Sequence, residues 1–250
     1  MQAGQGRRPQ ARPRPARGPR LVPREGRGHP VRRRAGLVPA GPGGEIRARL
    51  RTGLSVDNDV NLAAVAERAH GTAADAESFA LLWLGEEGLG LAIDLGGTLL
   101  RGARGGAGEI GYMPVGVPAE GTVHDFHDLV SGQAIRELAA QHGITADTGH
   151  GAVAAAVAAG ERGFVDALAL RIAVGLAAVV AVLDPPLVVL AGEVGQAGGA
   201  VLPDAVTAAL REVSVLETAV AATALTEDPV LLGALGTTLT AVRTAVLDRG

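Results

Sequence analysis

The 250-residue sequence contains no cysteine, no lysine and only five aromatic residues. Without cysteine, disulfides and thiolate metal sites are excluded, which suits the cytosol. So few aromatics leave no stacking platform for single-stranded nucleic acid. A core must then be filled by small aliphatic side chains, and hydrophobic residues, chiefly Ala, Val and Leu, make up 47% of the chain. Long hydrophobic runs are scarce as well. Met1 to Arg34 offers no short basic region followed by an apolar run, so no secretory signal is read there. The most apolar later stretch, Ile172 to Leu183, is too short to span a bilayer.

Charge is present but unevenly placed. Residues 1–51 hold fourteen Arg against Glu25 and Glu45, whereas the rest holds nine Arg against twenty-four acids, within a net charge of −3. Arg as the sole basic residue reads as the coding bias of a GC-rich gene more than as phosphate recognition. Residues 1–44 are rich in Arg, Pro and Gly and lack periodic apolar positions, so they are expected to be a disordered leader. The leader is either a basic arm for nucleic acid, or a solvated tail or product of a shifted frame. Pro9, Pro13, Pro15, Pro19 and Pro23 forbid the amphipathic helices of a winged-helix reader.

From Gly44 the texture becomes that of an α/β unit. A short helix, a brief strand at Leu54 to Val56 and a helix through Arg68 are expected. Phe79 to Leu84 reads as an apolar strand, Gly88 to Leu100 as a hairpin and Gly102 to Pro118 as a glycine-dense loop. Helices follow over Gln133 to His142, Ala152 to Ala159 and Gly163 to Leu183. A Pro-Pro break, a strand at Leu187 to Leu190, a Gly-rich turn and helices starting near Gly199 and Leu231 complete the chain. Strands alternating with helices suggest a sheet with helical cover.

Two constellations carry chemistry. In Asp57-Asn58-Asp59-Val60-Asn61, polar side chains crowd a strand-to-helix junction, where an Asp can cap the helix. The same carboxylate and amide can grip neighbouring sugar hydroxyls, and the carboxylate can accept a proton from one. In the segment from Arg101 to Tyr112, five glycines surround Glu109. That density permits close backbone approach to a ligand, and Glu109 is the natural acceptor for hydroxyls.

These pieces, with LDPPLVVLAGEVG and the tail DPVLLGAL, occur in an order and spacing that resembles the ROK family of bacterial repressors and sugar kinases. The resemblance covers about Gly44 to the C-terminus. It implies an α/β, actin-like, hexokinase-type ATPase fold (ribonuclease H-like) over residues 45–250. The first lobe, 45–117, would be incomplete, and a helical second lobe would span 118–250. It implies a sugar pocket of Asn58, Asp59, Glu109, Tyr112 and His127, with Asp59 as the base in the family's kinases and vestigial in a non-kinase. It further implies a cytoplasmic protein that forms homodimers through its helical lobe and has no membrane partner.

The sequence departs from the kinase pattern in three places. The family's zinc cysteines are absent, so no zinc is expected, and His124 and His127 beside Asp125 and Asp128 read as a polar helix start. The second phosphate loop becomes Gly85-Glu86-Glu87-Gly88-Leu89-Gly90. A carboxylate near 4 Å from a phosphate costs about 4 kcal/mol at an effective dielectric of about 20. That makes Gly85, Gly88, Gly90 and Gly192 doubtful nucleotide contacts, with ATP and Mg expected only in a kinase. Finally, the DxGxT form of Asp94-Leu95-Gly96-Gly97-Thr98 falls downstream of Asp59 and reads as a returning hairpin strand. The expected protein is the sugar-sensing effector domain of a ROK regulator, binding a sugar or sugar phosphate. DNA would be bound only through a missing or separate reader. The alternatives are an ATP-dependent hexose or amino-sugar kinase and a degenerate module that binds no sugar.

Overall fold

The computed structural model describes residues 46–47, 49–50, 53–119 and 122–248. The Arg-rich leader lies outside the described residues. Helix α1 is Asp59–His70, and strands β1 (Phe79–Leu84), β2 (Leu89–Leu95) and β3 (Thr98–Leu99) follow it. A 3-10 turn at Ile110–Tyr112 leads into a small hairpin of β4 (Pro114–Ala119) and β5 (Thr122–Asp125). Then come α2 (Phe126–Val130), α3 (Gly132–Gln141), α4 (Gly149–Ala159) and α5 (Arg162–Leu183). The chain closes with β6 (Leu187–Ala191), α6 (Gly192–Ala197), α7 (Val201–Val213), β7 (Ala219–Ala222) and α8 (Pro229–Leu247).

Five strands form one sheet in the order β3-β2-β1-β6-β7, with β1 antiparallel to β2 and parallel to β6. Strand β1 is apolar throughout because it is central and covered on both faces. Ala80, Leu82 and Leu84 face the larger core with Phe126, Phe164, Leu168 and Ile172. Phe79 and Leu81 face Val60, Ala63 and Ala64 of α1. Each fully buried Leu or Phe contributes about 1.5–3 kcal/mol.

Helix α5 runs 22 residues, and its buried face includes Leu168, Ile172 and Leu176. A side chain at Gly175 would overlap the Phe126 ring, so glycine sets how closely the two elements pack. The helix ends where Asp184 turns left-handed (φ 44°), and Pro185 cannot continue the ladder. Helices α5 and α8 are each long and apolar enough to cross a membrane by length and composition, but half of the apolar window of α5 is core.

Three expectations differ from the structure. Leu54 to Val56 has no regular secondary structure, and both edges of β1 are taken by β2 and β6. The segment read as loop to Pro118 turns into the 3-10 turn and β4. The Gly-rich turn after β6 becomes helix α6, entered through left-handed Gly192. Strand β7, built from Ala and Val, carries too little periodicity to be read from sequence.

Candidate functional site

Asn58, not an Asp, caps α1. Its Oδ1 accepts the N–H groups of Val60 (2.9 Å) and Asn61 (3.3 Å), which leaves the amide Nδ2 as its outward chemistry. Asp59 sits in the first turn, where its charge complements the helix dipole. Its Oδ1 accepts from Val60 N at 2.9 Å, leaving Oδ2 to accept from a ligand. Asp57 is held in place by Asn61 Nδ2 at 3.3 Å and by Arg101, whose Nη2 lies 2.6 Å from Oδ2. Burial pushes the Asp57 carboxyl up, but hydrogen bonds from Arg101 and the Asn58 N–H outweigh it, so its pKa lies below the ordinary value.

Arg101 opens the glycine-dense loop, so this ion pair fastens the loop to the start of α1. The loop then returns to β2. Leu91 N donates to the Gly108 carbonyl at 3.0 Å. Gly108 has φ +85°, and a Cβ there would overlap the Leu91 carbonyl. Glycine is therefore required, and it delivers Glu109, exposed, to the edge of β2. Gly111 is buried near Leu89 and the His127 Cβ, while on the other face of β2 a Cβ at Gly90 would stand 2.8 Å from Val60. Val60 of α1 and the loop that carries Glu109 thus both pack on β2, at Gly90 and Leu91, while the His127 Cβ lies near Gly111. Tyr112 ends the 3-10 turn and is 75% exposed. Sequence reasoning missed Asp57 and Arg101 as fixing groups, because a pair 44 residues apart leaves no local signal.

The expected phosphate loop is closed on itself. Glu86 accepts from Gly149 N at 2.9 and 2.8 Å and from His150 N at 3.2 Å, the first residues of α4. His150 Nδ1 lies 3.2 Å away and Arg136 Nη1 3.8 Å away. Gly85 and Gly192 are packed together, since a Cβ at Gly192 would stand 2.5 Å from the Leu84 carbonyl oxygen. Gly88 keeps the turn short by accepting from Gly85 N at 2.9 Å.

Asp94 of the DxGxT-like sequence is buried and anchors the β2–β3 turn, accepting from Gly97 N at 2.8 Å and from Arg68 Nη2 at 2.5 Å. Arg68 also stacks over Phe79 at 5.0 Å and donates to the carbonyls of Ala73 and Ala76. His124 lies 3.7 Å from Asp128, and Asp125 and Asp128 form the capping box of α2. Among the described residues no three His, Asp or Glu gather as metal ligands. Two cavities, of about 220 and 300 Å³, flank the Asp94 region; neither is lined by Asn58, Asp59, Glu109, Tyr112 or His127.

The ROK family pattern matches residues 43–238. The bifunctional enzyme NanE/NanK of Brucella suis is 37% identical over 161 residues, covering 63% of this chain and 29% of that protein. The chain thus spans under a third of this curated relative. The ROK hexokinase of Thermus thermophilus superposes with a TM-score of 0.65 at 26% identity, over 81% of this chain and 70% of that one. A ROK family transcriptional regulator, described as a homolog of the E. coli MLC protein, gives 0.66 at 21% identity over 78% and 54% of the two chains. At that identity the likeness concerns the fold alone.

Proposed function

The chain belongs to the ROK family and has the actin-like α/β fold of its solved sugar kinases; from that premise we propose that it is the sugar-sensing effector domain of a ROK transcriptional regulator. One observation carries this reading. The loop that carries Glu109 is tied to the helix start that carries Asn58 and Asp59 by the Arg101–Asp57 ion pair, while Glu86, in the turn that the family reading assigns to nucleotide phosphates, is bonded to the first residues of α4.

The chemistry follows from the groups left unspent. The Glu109 carboxylate and Asp59 Oδ2 accept from adjacent sugar hydroxyls, and Asn58 Nδ2 donates to a third oxygen. His127, beside Gly111, bounds the same edge, and Tyr112 supplies an aromatic face at its rim. Sugar binding then shifts the balance between arrangements of the effector domain. In this reading operator contact belongs to a separate reader, which the acidic body, with nine Arg against twenty-four acids beyond residue 51, supports. The reading places the protein in the cytoplasm and allows a homodimer.

This reading expects no ATP, and what supports it is the charge at the turn: Glu86, Glu87 and Glu193 are all acids, and Glu86 is bonded to the start of α4. A kinase reading is favoured by the identity to NanE/NanK; in it Asp59 would take the proton of the sugar hydroxyl. Calorimetry with aldohexoses, amino sugars and their phosphates, with and without Mg-ATP, separates the two. The regulator reading expects sugar heat that is unchanged by nucleotide and no ATP turnover. Sugar-dependent release of ADP would establish the kinase instead.

A further inference from the structure

The Glu86 carboxylate is seated as a bound oxyanion would be. Gly149 N–H donates to both of its oxygens, His150 contributes its backbone N–H and lies with Nδ1 at 3.2 Å, and Arg136 stands at 3.8 Å. Glycines make the room: a Cβ at Gly132 would overlap the carboxylate, and one at Gly149 would stand 3.3 Å from Oε2. Helix α4 already has its own cap, because Thr148 Oγ1 accepts from Gly151 N at 3.1 Å. Glu86 takes the two N–H groups that this cap leaves open. Donors from α3 and α4 that would otherwise attract an external anion are therefore satisfied by the chain itself. The turn is pinned from its other side too, since Gly85 packs against Trp83 and Glu193.

We propose that Glu86 is an internal latch: a carboxylate supplied by the β1–β2 turn that ties this turn to the first residues of α3 and α4 and keeps it shut to nucleotide phosphate. The contact stands on its own geometry; only the statement of what the turn would otherwise hold rests on the family reading above. Once the carboxylate is removed, the Gly149 and His150 N–H groups lose their acceptor and Arg136, which still donates to the Asp147 carbonyl, loses its counter-charge, and a small free oxyanion can replace it.

Chemical rescue tests this. The full chain and its Glu86→Ala variant are melted in chloride buffer and then with added formate or inorganic phosphate. The variant is expected to melt about 2–4 °C lower, to regain most of that loss with either anion, and to gain a Tm shift with ATP. The parent should respond to none of them. Glu86→Gln, which keeps the volume and one acceptor oxygen, should show the same pattern with a smaller loss and carries the test if the alanine variant does not fold. Equal Tm values for parent and variants, or an anion response of the same size in both, would overturn the latch. The Tm shift produced by D-glucose or N-acetylglucosamine, if seen in the parent, should persist in Glu86→Ala; its absence from both proteins counts against the sugar reading and leaves the latch result intact.

Discussion

Arg101 binds Asp57 across 44 residues of sequence, with Nη2 at 2.6 Å and Nε at 3.1 Å from the same carboxylate oxygen. Through this pair the loop that carries Glu109 is fixed to the helix start that carries Asn58 and Asp59. Arg101 is 49% exposed and Asp57 18%, and pairs of that exposure contribute at most about 1 kcal/mol. The value of the contact is therefore positional. Arg101→Ala should lower stability by less than about 1 kcal/mol while weakening sugar binding severalfold. Arg101→Lys should fall between, because an ammonium lacks the guanidinium fork. Melting curves and calorimetry on the same samples compare the two effects.

Asn58 has two roles that can be separated. Asn58→Ala removes the cap of α1 and should cost about 0.5–2 kcal/mol. Asn58→Asp keeps a capping oxygen, since Asn and Asp cap equally well, but loses the Nδ2 donor and adds a carboxylate between Asp57 and Asp59. It should melt close to the parent and bind no sugar. Denaturant unfolding with a sugar titration checks both.

Gly108 places Glu109. Its φ of +85° alone costs about 1–3 kcal/mol for a residue with a side chain, and a Cβ there would also overlap the Leu91 carbonyl. Gly108→Ala should be strongly destabilising. Gly106, with open space around it, should tolerate the same change with a Tm near that of the parent.

Acid should unfold the protein partly through Asp57 and Glu86. For each, burial pushes the carboxyl up and hydrogen bonds more than offset this: Arg101 and Asn58 N–H for Asp57, Gly149 N–H and His150 for Glu86. Both pKa values lie below the ordinary 3.8 and 4.5. A folded pKa below the unfolded one gives stability that is complete above the unfolded value and is lost as pH falls through the folded value. Arg136 and His150 face Glu86 from α3 and α4, and Glu193 and Glu87 are the acids nearby. Stability should therefore hold above pH 4.5 and decline below it, with a shallower decline in Glu86→Gln and Asp57→Asn. Equilibrium unfolding at stepped pH measures the slopes.

Much of this was legible in the sequence, and the reason is local. Phe79 to Leu84 is an unbroken apolar run between polar turns, which only a central strand requires, and Asp184-Pro185-Pro186 ends α5 by removing a donor. The helix start after Asn58 and the glycine-dense loop before Tyr112 were legible from their local pattern, whereas the contacts that fix them were not. Arg101 with Asp57, and Glu86 with Gly149, join residues 44 and 63 positions apart, and nothing local to either partner encodes the other. Glu86 shows the limit most clearly. Its charge was readable as hostile to phosphate, but its seat at the start of α4 exists only after β1 and α4 are packed.

The central claim is that Glu109 and the start of α1 together hold a sugar. The direct test is the Tm of the parent and of Glu109→Ala across a panel of aldohexoses and amino sugars. A saturable rise with at least one sugar in the parent, abolished in Glu109→Ala at unchanged ligand-free Tm, is the predicted result. No rise with any sugar, or the same rise in both proteins, would contradict it.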